Sequence, residues 1–145
     1  MDIEAVVGSQ FPKKVIPYLE SATKSIDIIV FDWRWYPNDP GAAVQLFNQA
    51  VVRAARRGVQ VRAIANFDEI IKILQGLKCQ AKRIATKGIV HCKLMIIDDE
   101  IVITGSHNYT QNAFQMNQEL SVIIHNPENI SEFSKFFNSL WLNHI

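Results

Sequence analysis

The chain has 145 residues, of which 48% are hydrophobic and 20% charged, and its formal net charge is +1. That length supports a real core without cross-links, the balance excludes a disordered or low-complexity chain, and near-neutrality excludes a uniformly basic nucleic-acid binder. The opening MDIEAVVGSQFPKK has no basic region ahead of an apolar run, and no stretch approaches the roughly 20 apolar residues of a spanning helix, so a cytoplasmic protein without a membrane segment is expected.

In chain order, IEAVVG (3 to 8) and SIDIIVFDW (25 to 33) read as strands, with an amphipathic helix over about 11 to 22 between them. Residues 41 to 57 carry Val44, Phe47, Val51 and Ala54 or Ala55 at helical spacing, stopped by Gly58, and VQVRAIA (59 to 65) follows as a strand. The helix DEIIKILQGL then leads to the strand CQAKRIA (79 to 85). From Ile89 the pattern changes to closely spaced strands, 89 to 97, 101 to 105 and 118 to 125, before a last helix from Pro127 to about Asn143. The order βαβαβαβ and then βββα predicts a single α/β domain over 1–145, with a mixed, mostly parallel sheet sandwiched between helices.

Charge is segregated along this layout. Residues 53 to 93 carry ten of the 15 basic residues against Asp68 and Glu69 alone, which suits either a polyanionic partner or a solvated helix face. Cys79 and Cys92 have neither C-x-x-C nor zinc spacing, and buried thiols in a reducing compartment are expected.

The segment HCKLMIIDDEIVITGSHN (91 to 108) places polar residues in an apolar run, where burial would penalise them. Side chains alternate along a strand, so His91 and Lys93 share a face. If IDDEIV turns tightly over Asp99 and Glu100, Asp98 pairs with Ile101, Lys93 falls opposite Ser106 and His91 opposite Asn108. A lysine charge, an amide, a hydroxyl and room for backbone at Gly105 then suit a tetrahedral anion, with His91 as a nitrogen nucleophile. Glu119 in NQEL offers a carboxylate to orient that imidazole. Asp98 and His107 have the wrong parity for the patch, so Asp98 is expected to serve the turn or a basic partner. No second acidic cluster suggests a metal or other cofactor.

These residues, His91-x-Lys93-x4-Asp98-x6-Gly105-Ser106-x-Asn108, resemble the histidine-lysine-aspartate signature of the phospholipase D superfamily, and the layout of the chain is similar to its small single-motif bacterial endonucleases. The resemblance implies a phospholipase D-like fold. It also implies His91 as a nucleophile forming a phosphohistidine, Lys93 and Asn108 as phosphate clamps, Ser106 as a supporting hydrogen-bonding residue, Glu119 as the histidine's orienter and Asp98 as the motif aspartate.

Expelling an alkoxide from phosphorus needs a general acid, and one histidine cannot both hold the phosphorus and protonate the leaving group. With one motif per chain, a twofold homodimer pairing two copies of His91 is the simplest answer.

DNA or RNA is the first substrate expectation, phospholipid hydrolysis or phosphatidyl transfer the alternative, and a non-catalytic nucleic-acid-binding module a reading of another class. In FDWRWYPND, Trp33 and Arg34 are candidates for stacking on unpaired bases, while aromatics there suit a subunit interface equally. Lys82, Arg83 and Lys87 flank the motif as candidate phosphate contacts, and His125 and His144 are read as core residues.

Overall fold

The computed structural model describes residues 2–142. In chain order the elements are β1 (Asp2–Val7), α1 (Gln10–Ser21), β2 (Ser25–Ile29), α2 (Ala43–Arg56), β3 (Gln60–Ile64), α3 (Asp68–Gln75), β4 (Gln80–Lys82), β5 (Leu94–Ile97), β6 (Ile101–Gly105), α4 (Gln111–Gln115), β7 (Leu120–His125) and α5 (Ile130–Trp141). Each long element follows the apolar period read from the sequence. The helix α2 buries Val44, Phe47, Val51, Ala54 and Ala55 on one stripe, and Gly58 beyond its end takes a positive φ of 100°. Only α4 has no periodic signal. It is a single turn, capped by the Thr110 hydroxyl accepting from Ala113 N at 3.1 Å.

Among the described residues seven strands form one sheet in the order β1-β7-β6-β5-β2-β3-β4. The sheet is mixed and lies between helices, as expected, but its parallel pairings are confined to β2-β3 and β3-β4. β1, β6, β2, β3 and β4 all run one way, so the successive β-α-β units do form. What corrects the mostly parallel expectation is insertion. The antiparallel meander β5-β6-β7 enters between β1 and β2, so those two strands never touch.

Alternation along the strands feeds two cores. Ile26, Ile28, Met95, Ile97, Ile103 and Ile123 face the helices α1, α2 and α3, together with Phe11, Phe47 and Phe114. Ile29, Ile64, Leu94, Ile96 and Val102 face Phe137 and the apolar side of α5. Among the described residues no helix is long and apolar enough to cross a membrane. Both cysteines are free, and burial pushes the Cys79 thiol up to about 11. His144 and the expected helix end at Asn143 lie outside the described residues.

Candidate active site

Strand direction decides what meets here. β2, β3 and β6 end, and β5 and β7 begin, at the same edge of the sheet. His91 and Lys93 precede β5, Ser106 and Asn108 follow β6, and Glu119 precedes β7, so all five are carried to that edge. It is also where β2 and β3 present their carboxyl ends, the usual ligand side of an α/β sheet.

The hairpin register expected from the sequence is corrected by one residue. Ile97 pairs with Ile101 and Leu94 with Thr104, because the loop holds three residues, with Asp98 and Asp99 at φ of 54° and 55°. Face alternation beyond the ladder would then set His91 against His107. It does not govern, since residues 89 to 93 lie outside any strand and Lys93 O is tied to the Thr104 hydroxyl at 2.7 Å.

The exposed His91 presents Nδ1 to Lys93 Nζ at 3.2 Å. Both lie against Phe31, whose ring centroid is 5.0 Å from the imidazole and 5.8 Å from Nζ. Asn66, just past β3, donates from Nδ2 to Phe31 O and Val90 O, each at 3.0 Å, and so ties this support to the residue preceding His91. Burial holds the Lys93 ammonium below its ordinary value, with Cys92 and Glu119 pulling the other way.

On the β6 side, Ser106 Oγ donates to Glu119 Oε1 at 2.6 Å and accepts from Leu120 N at 3.0 Å. Asn117 Nδ2 donates to the other Glu119 oxygen at 3.2 Å. Within one chain Glu119 thus meets Ser106 and Asn117 and not His91, because β7 is separated from β5 by β6. Asn108 Oδ1 accepts from Asp32 N at 3.1 Å, which fixes the carboxamide and turns its NH2 group away from that bond. An ammonium, an oriented amide and an exposed imidazole at one edge can receive a tetrahedral oxyanion and offer it a nitrogen.

Other candidates lie elsewhere. Asp98 sits at the opposite end of β5 from Lys93, about 16 Å along an extended chain. Its carboxylate accepts from the amides of Thr23, Lys24 and Ser25 at 3.0, 2.7 and 3.0 Å, so it cannot act on a ligand at the motif.

Gly105 is required by packing. A Cβ there would lie deep inside van der Waals contact with Ser121 and Leu120 O. Trp33 is 1% exposed and donates its indole N–H to Asn48 at 2.7 Å, so it is core and not a stacking surface. Arg34 remains exposed beside Asp32, and Lys87 is exposed on the loop before the motif.

His107 is buried between Ser121 Oγ and Gly8 O, at 2.7 and 2.8 Å. His125 is not a core residue. Its side chain is 27% exposed and meets Glu4 at 2.7 Å on the outer strand pair.

Half of the ten basic residues in the segment 53 to 93 are engaged within the fold. Arg53 pairs with Glu20, Arg57 with Glu20 and the carbonyls of Leu19 and Ala22, Arg62 with Asp27 and Arg83 with Asp68, while Lys82 lies over Trp141.

Sequence reasoning missed Phe31, Asn66 and Phe67 as site residues, although ANFDE follows a parallel strand and so sits at its ligand end. A cleft of about 580 Å³ opens beside the motif, lined by Asp32, Arg34, Phe67, Asn108, Asn112 and Asn117 among others. Among the described residues no group of three or more His, Cys, Asp or Glu side chains is placed to hold a metal ion.

A family model described as "Cardiolipin synthase, PLD-like domain" matches residues 15–141. The mitochondrial cardiolipin hydrolase of Homo sapiens is 30% identical over 142 residues, covering 92% of this chain and 52% of that protein. A phospholipase D of Rickettsia prowazekii is 31% identical over 119 residues, or 77% of this chain and 53% of that protein. The chain spans about half the length of the curated relatives it matches. Among solved structures, NucT from Helicobacter pylori superposes with a TM-score of 0.81 at 22% identity, and Nuc from Salmonella typhimurium, a phospholipase D family member, with 0.79 at 23%. Each covers 98% of this chain and 96% of its own. At that identity the likeness is one of fold.

Proposed function

The chain belongs to the PLD-like domain family, and from that premise we propose that it is a phosphodiesterase cutting DNA or RNA through a phosphohistidine on His91, in a site completed by a second copy of the chain. The observation that carries this reading is the contact of His91 Nδ1 with Lys93 Nζ, on the edge that also holds Ser106 and Asn108.

With Lys93 as an ammonium, Nδ1 is the accepting nitrogen and the proton rests on Nε2. That tautomer can donate but cannot attack through Nε2. A phosphodiester arriving at the edge offers Lys93 a stronger acceptor, which frees the ring to attack phosphorus while Asn108 and Lys93 hold the charged oxygens. The bond from phosphorus to the leaving oxygen then breaks, and that oxygen takes its proton from His91 of the other copy, which enters as the imidazolium and is left as a neutral imidazole. The second imidazole next removes a proton from water, which hydrolyses the phosphohistidine.

A shared site is supported by exposed apolar groups next to the motif. Ile89, Met116 and Leu120 are 70%, 73% and 58% exposed, within two residues of His91 or beside Asn117 and Glu119. The donor set, an ammonium with amides rather than clustered carboxylates, supports chemistry without a metal.

A second reading, hydrolysis or transfer at a phospholipid phosphodiester, is favoured by the names of the relatives, mitochondrial cardiolipin hydrolase and phospholipase D. The test places the purified protein with labelled oligonucleotides and with cardiolipin vesicles, each in EDTA, followed by denaturation in alkaline detergent, in which a phosphohistidine survives. His91→Ala should remove at least about 10³-fold of the activity and all protein-bound phosphorus, with the fold retained. Undiminished turnover in that variant overturns the mechanism, inhibition by EDTA overturns its metal independence, and cleavage of vesicles alone replaces nucleic acid by lipid.

A further inference from the structure

The cleft beside the motif has a chemistry unlike that of the phosphate cradle. Arg34 is the basic side chain among its lining residues, and its Nε is already paired with Asp32 at 2.7 Å, while Glu69 adds a second carboxylate. A further phosphate therefore meets no surplus positive charge there, and an acyl chain would strip water from Asn112 and Asn117 without replacing it.

What the cleft does offer is planar and hydrogen-bonding. The Arg34 guanidinium lies 5.2 Å from the centre of the Phe67 ring. Phe67 is 39% exposed, although aromatic. Its ring meets Phe31 edge-on at 6.2 Å, and Phe31 is the ring that supports His91 at 5.0 Å. The platform is thus continuous with the imidazole's own support. The motif residue Asn108 lines the same cleft, so a ligand held by that amide enters directly beside the platform.

We propose that this cleft is a base pocket, taking one unpaired nucleobase next to the scissile phosphodiester, stacked on the Arg34–Phe67 pair with its edge toward the Asn112 and Asn117 amides. The inference rests on His91 being the nucleophile of a phosphodiesterase, and between the two substrates of that reading it selects nucleic acid in single-stranded form. Aromatic and guanidinium planes stack on any base, whereas a paired base shows no free face to them. About 580 Å³ holds one such ring with its ordered water and not a duplex.

The experiment uses the intact protein and single-stranded oligonucleotides in which one abasic residue is walked along the sequence. In the wild type, an abasic residue at the one position flanking the cut should lower kcat/KM about tenfold. Within each variant the ratio of intact to abasic substrate cancels any general change in activity. Phe67→Leu, which keeps apolar bulk at the start of α3, should bring that ratio to within about twofold of one, and Phe67→Tyr should restore it.

Oligonucleotides cleaved with no sensitive position, or a ratio unchanged in Phe67→Leu, overturn the base pocket while leaving the catalytic reading intact. Hydrolysis of cardiolipin vesicles with no oligonucleotide cleaved overturns the pocket and the nucleic-acid substrate together.

Discussion

At Asp98 one carboxylate sets the geometry of a whole hairpin. Its bonds to the amides of Thr23, Lys24 and Ser25 hold it in a left-handed conformation, and that conformation makes the turn three residues long. Burial raises its pKa, but the hydrogen bonds from Lys24, Ser25 and Thr23 outweigh it and leave the folded value below the ordinary one. Between the two values the unfolded chain binds more protons, so stability rises with pH through that window. The contribution is complete above about pH 5 and is lost as pH falls below about 4 and through the lowered value. Asp98→Asn should destabilise by about 2 kcal/mol at pH 7, measured by urea unfolding, and the difference should shrink toward pH 3. A difference constant over that range would mean the charge is not what matters. The sequence showed Asp98 to be off the reactive face, but not its partners, which lie more than 70 residues away.

At the scale of elements, α5 is joined to the sheet through an ion pair as well as an apolar face. Arg62 on β3 meets Asp27 on β2 with two bonds, at 2.8 and 2.9 Å, and lies over Phe137 and Trp141 at 4.8 and 5.5 Å. Asp27 is 8% exposed, so Arg62→Ala would leave its charge buried without a partner. That variant should lose about 3 kcal/mol, with the amides of α5 losing hydrogen-exchange protection first. Asp27→Leu combined with Arg62→Met should recover most of the loss, because a buried pair and an apolar pair of similar volume are often close in free energy. Failure of the double variant to recover would point to a role beyond packing. The α5 stripe was legible in the sequence, since Ile130, Phe133, Phe137 and Trp141 repeat at helical spacing. The pair beneath it was not, since Asp27 and Arg62 meet only when β2 and β3 align in register.

For the molecule as a whole, the question is whether one chain suffices. One chain has one motif histidine, and the exposed Ile89, Met116 and Leu120 border the edge where a second would enter. If two copies share the site, wild-type subunits co-expressed with an excess of His91→Ala subunits are trapped in inactive mixed pairs. Specific activity per wild-type subunit should fall at least about fivefold at a tenfold excess, as mass action dictates. Constant activity per wild-type subunit would show that each chain acts alone.

What the sequence determined by itself is everything with a local cause. Apolar periods of two and 3.6 residues assign the long strands and helices, because facing depends only on neighbouring residues. The spacing from His91 to Asn108 names the family, because chemistry needs those groups in that order. Tertiary structure decided the rest, through contacts between residues remote in the chain. The meander β5-β6-β7 entered between β1 and β2, and strand direction rather than hairpin register carried His91, Lys93, Ser106 and Asn108 to one edge. Ser106 captured Glu119, the core took Trp33, and Phe31 and Asn66 became the support of His91. Strand adjacency and burial are properties of the whole packed sheet, so no window of sequence contains them.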